Sequence, residues 1–161
     1  MNYLKLLLVG SSISLAGCVT PYSPPRGIPV SAINVVNRMG TPAATYLYEG
    51  AEACTDRKVV GKIEPGGQKI VDVAAGKRLV FLYLNTTRKI GITAQMAVYP
   101  CTLMLDFSPQ AGGTYTLLVE QDTSLNSCAY SLTEGGKQVP HKERILLRPL
   151  TEAGPFCPAE Q

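Results

Sequence analysis

Alternation of apolar and polar side chains dominates the second half of the chain. Ile92, Ala94, Met96 and Val98 fall on one face, opposite Thr93 and Gln95. Cys101, Leu103, Leu105 and Phe107 share a face opposite Thr102 and Asp106. Tyr115, Leu117 and Val119 repeat the rule, and Cys128, Tyr130 and Leu132 precede Gly135-Gly136. A period of two puts each set on one side of a β-strand. Earlier segments read the same way. Ile33 and Val35 flank Asn34, and Thr45-Tyr46-Leu47-Tyr48 is β-branched and aromatic. Val59–Ile63 leads to the turn Pro65-Gly66-Gly67, and Lys69–Val73 leads to Ala75-Gly76. Leu79–Leu84 is apolar on both faces, which predicts a central strand covered on both sides or one with a face at an interface. Arg144–Arg148 is the last candidate strand.

No stretch outside the first residues has a convincing helical period. Short strands separated by Gly/Pro turns predict an all-β domain over residues 30–150, a β-sandwich of about eight strands. A ligand-holding barrel is disfavoured because the inward-facing set is bulky and aliphatic. Before the domain, Val19 to Pro29 holds Pro21, Pro24, Pro25 and Pro29. It reads as an extended tether, with a reach on the order of 34 Å at about 3.1 Å per residue. Residues 151–161 form a Pro-rich tail.

The first residues have a different pattern. Lys5 precedes the apolar run Leu6–Leu15, which is too short to span a bilayer and fits a secretory leader. The run ends in Leu15-Ala16-Gly17-Cys18. These four residues resemble the bacterial lipobox. The resemblance implies cleavage after residue 17, a diacylglyceryl group on the Cys18 sulfur and a further acyl chain on its amine. Two or more chains anchor a protein stably where one does not. Val19 stands where enteric lipoproteins retained at the inner membrane carry Asp, so the analogy favours the outer membrane, facing the periplasm.

Export changes the meaning of the remaining cysteines. Cys54, Cys101, Cys128 and Cys157 form an even set with no C-x-x-C pair, which reads as a disulfide framework rather than a zinc site. Of the three connectivities, Cys101–Cys128 with Cys54–Cys157 is the one we favour. In a simple meander of the strands holding Cys101, Leu117 and Cys128, two strand spacings of about 4.8 Å would keep Cys101 and Cys128 apart. Their bond therefore requires the chain to cross to a facing sheet, expected here at the last strand. Cys54 lies in a loop that can receive the tail, which would fray unless tied down.

The formal net charge of +3 is too small, and its basic residues too scattered, to indicate a nucleic-acid partner. No cofactor motif is present. His141, the sole histidine, lies in a polar stretch and reads as an exposed bystander. Asp72 and Asp106 are expected to point outward, Asp122 sits at a turn, and nothing selects a catalytic carboxylate pair. Asn85-Thr86-Thr87-Arg88-Lys89 reads as a polar, basic hairpin tip. Tyr46 and Tyr48 share a face, and with Arg88 and Lys89 they are candidates for an interaction surface, although tyrosines also commonly rim a sandwich.

Ala75-Gly76-Lys77 and Phe107-Ser108-Pro109 with Gly112-Gly113-Thr114-Tyr115, flanked by Cys101 and Cys128, resemble small bacterial lipoproteins with an immunoglobulin-like or transthyretin-like sandwich. In that group the second motif is an F-x-P…G-x-x-Y hairpin. The resemblance implies no catalytic residues. The expected function is a non-enzymatic, membrane-anchored structural or protein-interaction module with an envelope protein as partner. The rival readings are a binder or inhibitor of an envelope enzyme or ligand, and an accessory lipoprotein of a secretion machine.

Overall fold

The computed structural model of the chain describes residues 20–24, 26–90, 96–122, 127–152 and 154–159, with backbone alone at 86–90, 96–100 and 127. Cys18, the leader, Ile92 and Ala94 lie outside the described residues. The domain is an all-β sandwich. Its long strands are β2 (Val30–Arg38), β3 (Ala43–Gly50), β4 (Thr55–Ile63), β5 (Gln68–Ala74), β6 (Leu79–Ile90), β7 (Met96–Phe107), β8 (Thr114–Asp122) and β9 (Ser127–Glu134). Three two-residue strands sit at the margins: β1 (Thr20–Pro21), β10 (Lys137–Gln138) and β11 (Lys142–Glu143). The first sheet has the order β1-β4-β3-β6-β7-β11, and the second β10-β9-β8-β2-β5.

The alternation decides what each strand buries. Ile33, Val35, Val71, Val73, Leu117, Val119 and Leu132 of the second sheet meet Leu47, Phe81, Tyr83, Leu103, Leu105 and Phe107 of the first in one core. The bulge of β4 falls at Val60, where Thr45 opposes Gly61 and Tyr46 opposes Val59. The residue after it, Gly61, holds φ +136°, a conformation that side chains disfavour.

Two elements differ from the alternation pattern. The segments containing Met96–Val98 and Cys101–Phe107 are one strand that runs through Pro100. Phe107–Tyr115 is not a hairpin, because β7 and β8 lie in different sheets. It is an arch between the sheets, fixed by the Tyr115 ring edge-on to Phe107 (5.6 Å) and by the Gln110 amide donating to the Tyr115 hydroxyl (2.8 Å). A tyrosine hydroxyl bonded to backbone a few residues upstream is also the corner device of immunoglobulin-like sandwiches. A side chain at Gly113 would come within 2.8 Å of the Tyr115 ring, so the arch needs glycine there.

In the segment expected to be a free tether, the described residues 20–22 are docked on the sandwich. β1 pairs in parallel with β4, Thr20 opposite Lys58 and Pro21 opposite Val59. The Tyr22 amide donates to Val59 O (2.7 Å), and its hydroxyl crosses to Asp72 O of β5 (2.8 Å). β4 and β5 border the same open side of the sandwich, so this segment straps the two sheets together. Tyr22 also packs against the main core, and that burial favours the docked segment over a free one.

Candidate functional site

Both disulfides join the pairs favoured from the sequence. Cys101 of β7 and Cys128 of β9 bond across the two sheets with Cα atoms 5.5 Å apart. The crossing that permits this comes at β7–β8, one connection earlier than expected. Cys54 and Cys157 bond with Cα atoms 5.4 Å apart and fasten the tail beside the β3–β4 turn.

That tail creates a second core on the outer face of the first sheet. Tyr48, Val80, Leu82 and Met104 point away from the main core and are covered by Phe156 and Cys157, with Leu146 and Leu150 beside them. This explains why Leu79–Leu84 is apolar on both faces. Residues 144–148 add no strand beyond β11. They run as a cover with Leu146 inward and Ile145 and Leu147 exposed at 73% and 52%. Tyr48 is therefore no part of an open interaction surface. It is fully buried, and burial pushes its phenol up to about 12 against the opposing pull of Arg57. The Arg57 guanidinium lies over the Phe156 ring (4.6 Å) and the Tyr46 ring (5.7 Å).

Asp106 does lie on the outer face, but it is buried rather than solvated. Arg78 donates to it from Nε (2.8 Å) and Nη2 (2.5 Å), and Arg144 from Nη1 (2.9 Å). Arg144 also donates from Nη2 to the carbonyls of Glu52 (2.9 Å) and Pro158. The carboxylate thus organises a clamp that holds the tail down. Asp72 is exposed on β5, and Asp122 ends β8. Neither meets Asp106 in any described bond.

His141 is half-buried and engaged, unlike the exposed bystander expected. Its Nδ1 lies 2.7 Å from Val139 O, so it donates there, and its Nε2 lies 2.9 Å from the Tyr130 hydroxyl. The one Tyr130 hydroxyl proton is directed to Glu143 (2.5 Å). Burial and the neighbouring Glu143 carboxylate raise the Tyr130 phenol above its ordinary range. This cluster ties β9 to the segment entering β11, and its geometry is that of a brace. Among the described residues no three His, Cys, Asp or Glu side chains are grouped to hold a metal ion.

At the opposite end of the sandwich a buried amide organises the loops. Asn37 Nδ2 donates to the carbonyls of Thr41 (3.0 Å) and Ile63 (3.1 Å), while its Oδ1 accepts from the Met39 amide (2.9 Å) and the Tyr83 hydroxyl (2.7 Å). Asn85 Nδ2 donates to Thr41 O (2.7 Å) in the same network. Asn85 is thus a buried loop-holding residue and not part of a hairpin tip.

Beyond Asn85, β6 loses its partner β3 but keeps β7. The pairing of Thr86 with Pro100 continues to Ile90 with Met96. Arg88 and Lys89 therefore belong to a two-stranded ribbon that projects past the sheet, and their side chains lie outside the described residues. At the base of the ribbon, the part of the outer face that the tail leaves open forms a shallow groove. Ala44, Tyr46, Val59, Gly61, Lys62 and Leu84 line it, and its volume is about 440 Å³. The sequence pointed to Tyr46 here. It could not point to Leu84, whose exposure depends on where the tail stops. No family model matches this chain, and no curated protein matches it.

Proposed function

We propose that this chain is a non-enzymatic lipoprotein of the bacterial envelope, anchored through Cys18 to the outer membrane and facing the periplasm, whose rigid sandwich presents a docking surface to an envelope protein. The observation that carries this reading is the division of the outer face of the first sheet. One half is sealed by a disulfide-fastened tail. The other half is an apolar groove around Tyr46 and Leu84, flanked by a projecting ribbon. A tyrosine-lined apolar surface framed by backbone with free edges suits a protein partner better than a small ligand. The buried polar clusters support the same reading, because Asp106, Asn37 and the Tyr130–His141 pair each satisfy neighbouring backbone or charge within the fold.

Site-specific photocrosslinking in intact cells tests it. A photoreactive residue at Leu84 should give a discrete crosslinked protein. The same residue at Ile70, exposed on the other sheet, should give none. Equal crosslinking from both positions, or none from Leu84, would count against a partner at the groove.

A further inference from the structure

We propose that the end of the sandwich carrying the β3–β4 and β5–β6 turns rests on the bilayer, with Ile28 and Val30 at the boundary between headgroups and acyl chains. The inference rests on lipidation of Cys18. Only Val19 separates Cys18 from Thr20, so the anchor reaches at most about 7 Å from the first residue of β1. Thr20 is itself fixed, paired with Lys58 three positions from the start of β4. β1 runs parallel to β4, so the chain preceding Thr20 arrives from the end where β4 begins. A freely swinging domain needs a free spacer, and this chain has its spacer strapped to the sandwich by Tyr22.

The surface at that end has the character of an interfacial contact. Ile28 and Val30 are 43% and 37% exposed. The Pro29 carbonyl between them accepts the Ala75 amide, and the Val30 carbonyl accepts the Gly112 amide, so backbone bonds hold both side chains in place. Lys77 is exposed on the adjoining β5–β6 turn, and Arg26 is exposed two positions before Ile28. Basic side chains around exposed aliphatic ones suit the phosphate level of a bilayer. The carboxylates Glu49 and Asp56 sit at the same end and face Lys58 at 4.0 and 2.7 Å, which leaves little net charge. The contact is therefore chiefly apolar. In this orientation the ribbon of β6 and β7 projects from the far end, away from the lipid.

The test uses the full lipidated protein in vesicles of phosphatidylethanolamine and phosphatidylglycerol that contain headgroup spin-labelled lipid. A fluorophore is placed at Ile28→Cys, separately at Lys77→Cys on the same end, and at Ile70→Cys as the control. Quenching several-fold stronger at 28 and 77 than at 70, little changed when phosphatidylglycerol is reduced, is the expected result. Equal quenching at all three positions in a lipidated protein overturns the orientation alone. A protein that stays in the aqueous phase of a detergent separation overturns the lipoprotein reading and the orientation with it. Quenching that vanishes without phosphatidylglycerol overturns the apolar character of the contact.

Discussion

The ring of Phe156 stands 5.6 Å from that of Tyr48, tilted by 48°, and turns the end of the chain into half of a second core. The neighbouring Cys54–Cys157 bond closes a separation of 103 residues. In the chain-entropy picture a loop of that length contributes about 4.7 kcal/mol, against about 3.6 kcal/mol for the 27-residue loop of Cys101–Cys128. Replacing Cys54 and Cys157 by serine should lower the denaturant midpoint by more than replacing the other pair. It should also make residues 144–159 susceptible to limited proteolysis while the β-sheet circular dichroism persists. Loss of all β-signal would show that the tail is needed for the main core as well.

The clamp at Asp106 is unequal by exposure. The Arg144 side chain is 7% exposed and that of Arg78 37%. Asp106→Ala strands a buried guanidinium and should cost about 3–5 kcal/mol, whereas Arg78→Ala should cost about 1 kcal/mol or less. Urea unfolding of the two variants measures the difference. Equal costs would place the clamp on the exposed arm instead.

Tyr22, Tyr48 and Tyr83 share an alkaline dependence. Burial is the main cause that pushes each phenol up to about 12, with Glu49 and Asp72 adding to the effect at Tyr22. A raised folded value favours the protonated phenol in the native state. Stability is therefore fully present below the unfolded value near 10 and is lost as pH rises towards 12. Thermal melts should fall across that window, and Tyr22→Phe with Tyr83→Phe should flatten the fall. A melting temperature independent of pH from 10 to 12 contradicts the assignment.

Cys18→Ala should block lipidation and leave the unprocessed form, or a soluble one if another peptidase acts. Globomycin should accumulate the same precursor in the wild type. A wild-type chain that runs at mature size and partitions into the aqueous phase would remove the anchor from the proposal.

His141→Ala should lower stability by about 1 kcal/mol, the scale of a lost hydrogen bond, and leave partner crosslinking from Leu84 unchanged. Loss of crosslinking at unchanged abundance would show that the brace does more than hold β9 to β11.

The sequence by itself determined the β-class and the inward faces of β2, β5, β7 and β8, and it pointed to a framework of two disulfides whose pairing the tertiary structure then decided. The first two follow from a period of two, and the third from four cysteines without metal-ligand spacing. Only the tertiary structure decided that Phe107–Tyr115 bridges two sheets, that Tyr22 straps the open side, and that Asp106 and Tyr48 lie under the tail. Alternation reports which side of a strand a residue is on, and it is silent on what covers that side. Covering depends on contacts between residues far apart in the chain, such as Tyr48 with Phe156 and Asp106 with Arg144. Local propensity carries no record of such contacts, so the outward face of the first sheet reads alike whether it is sealed or open.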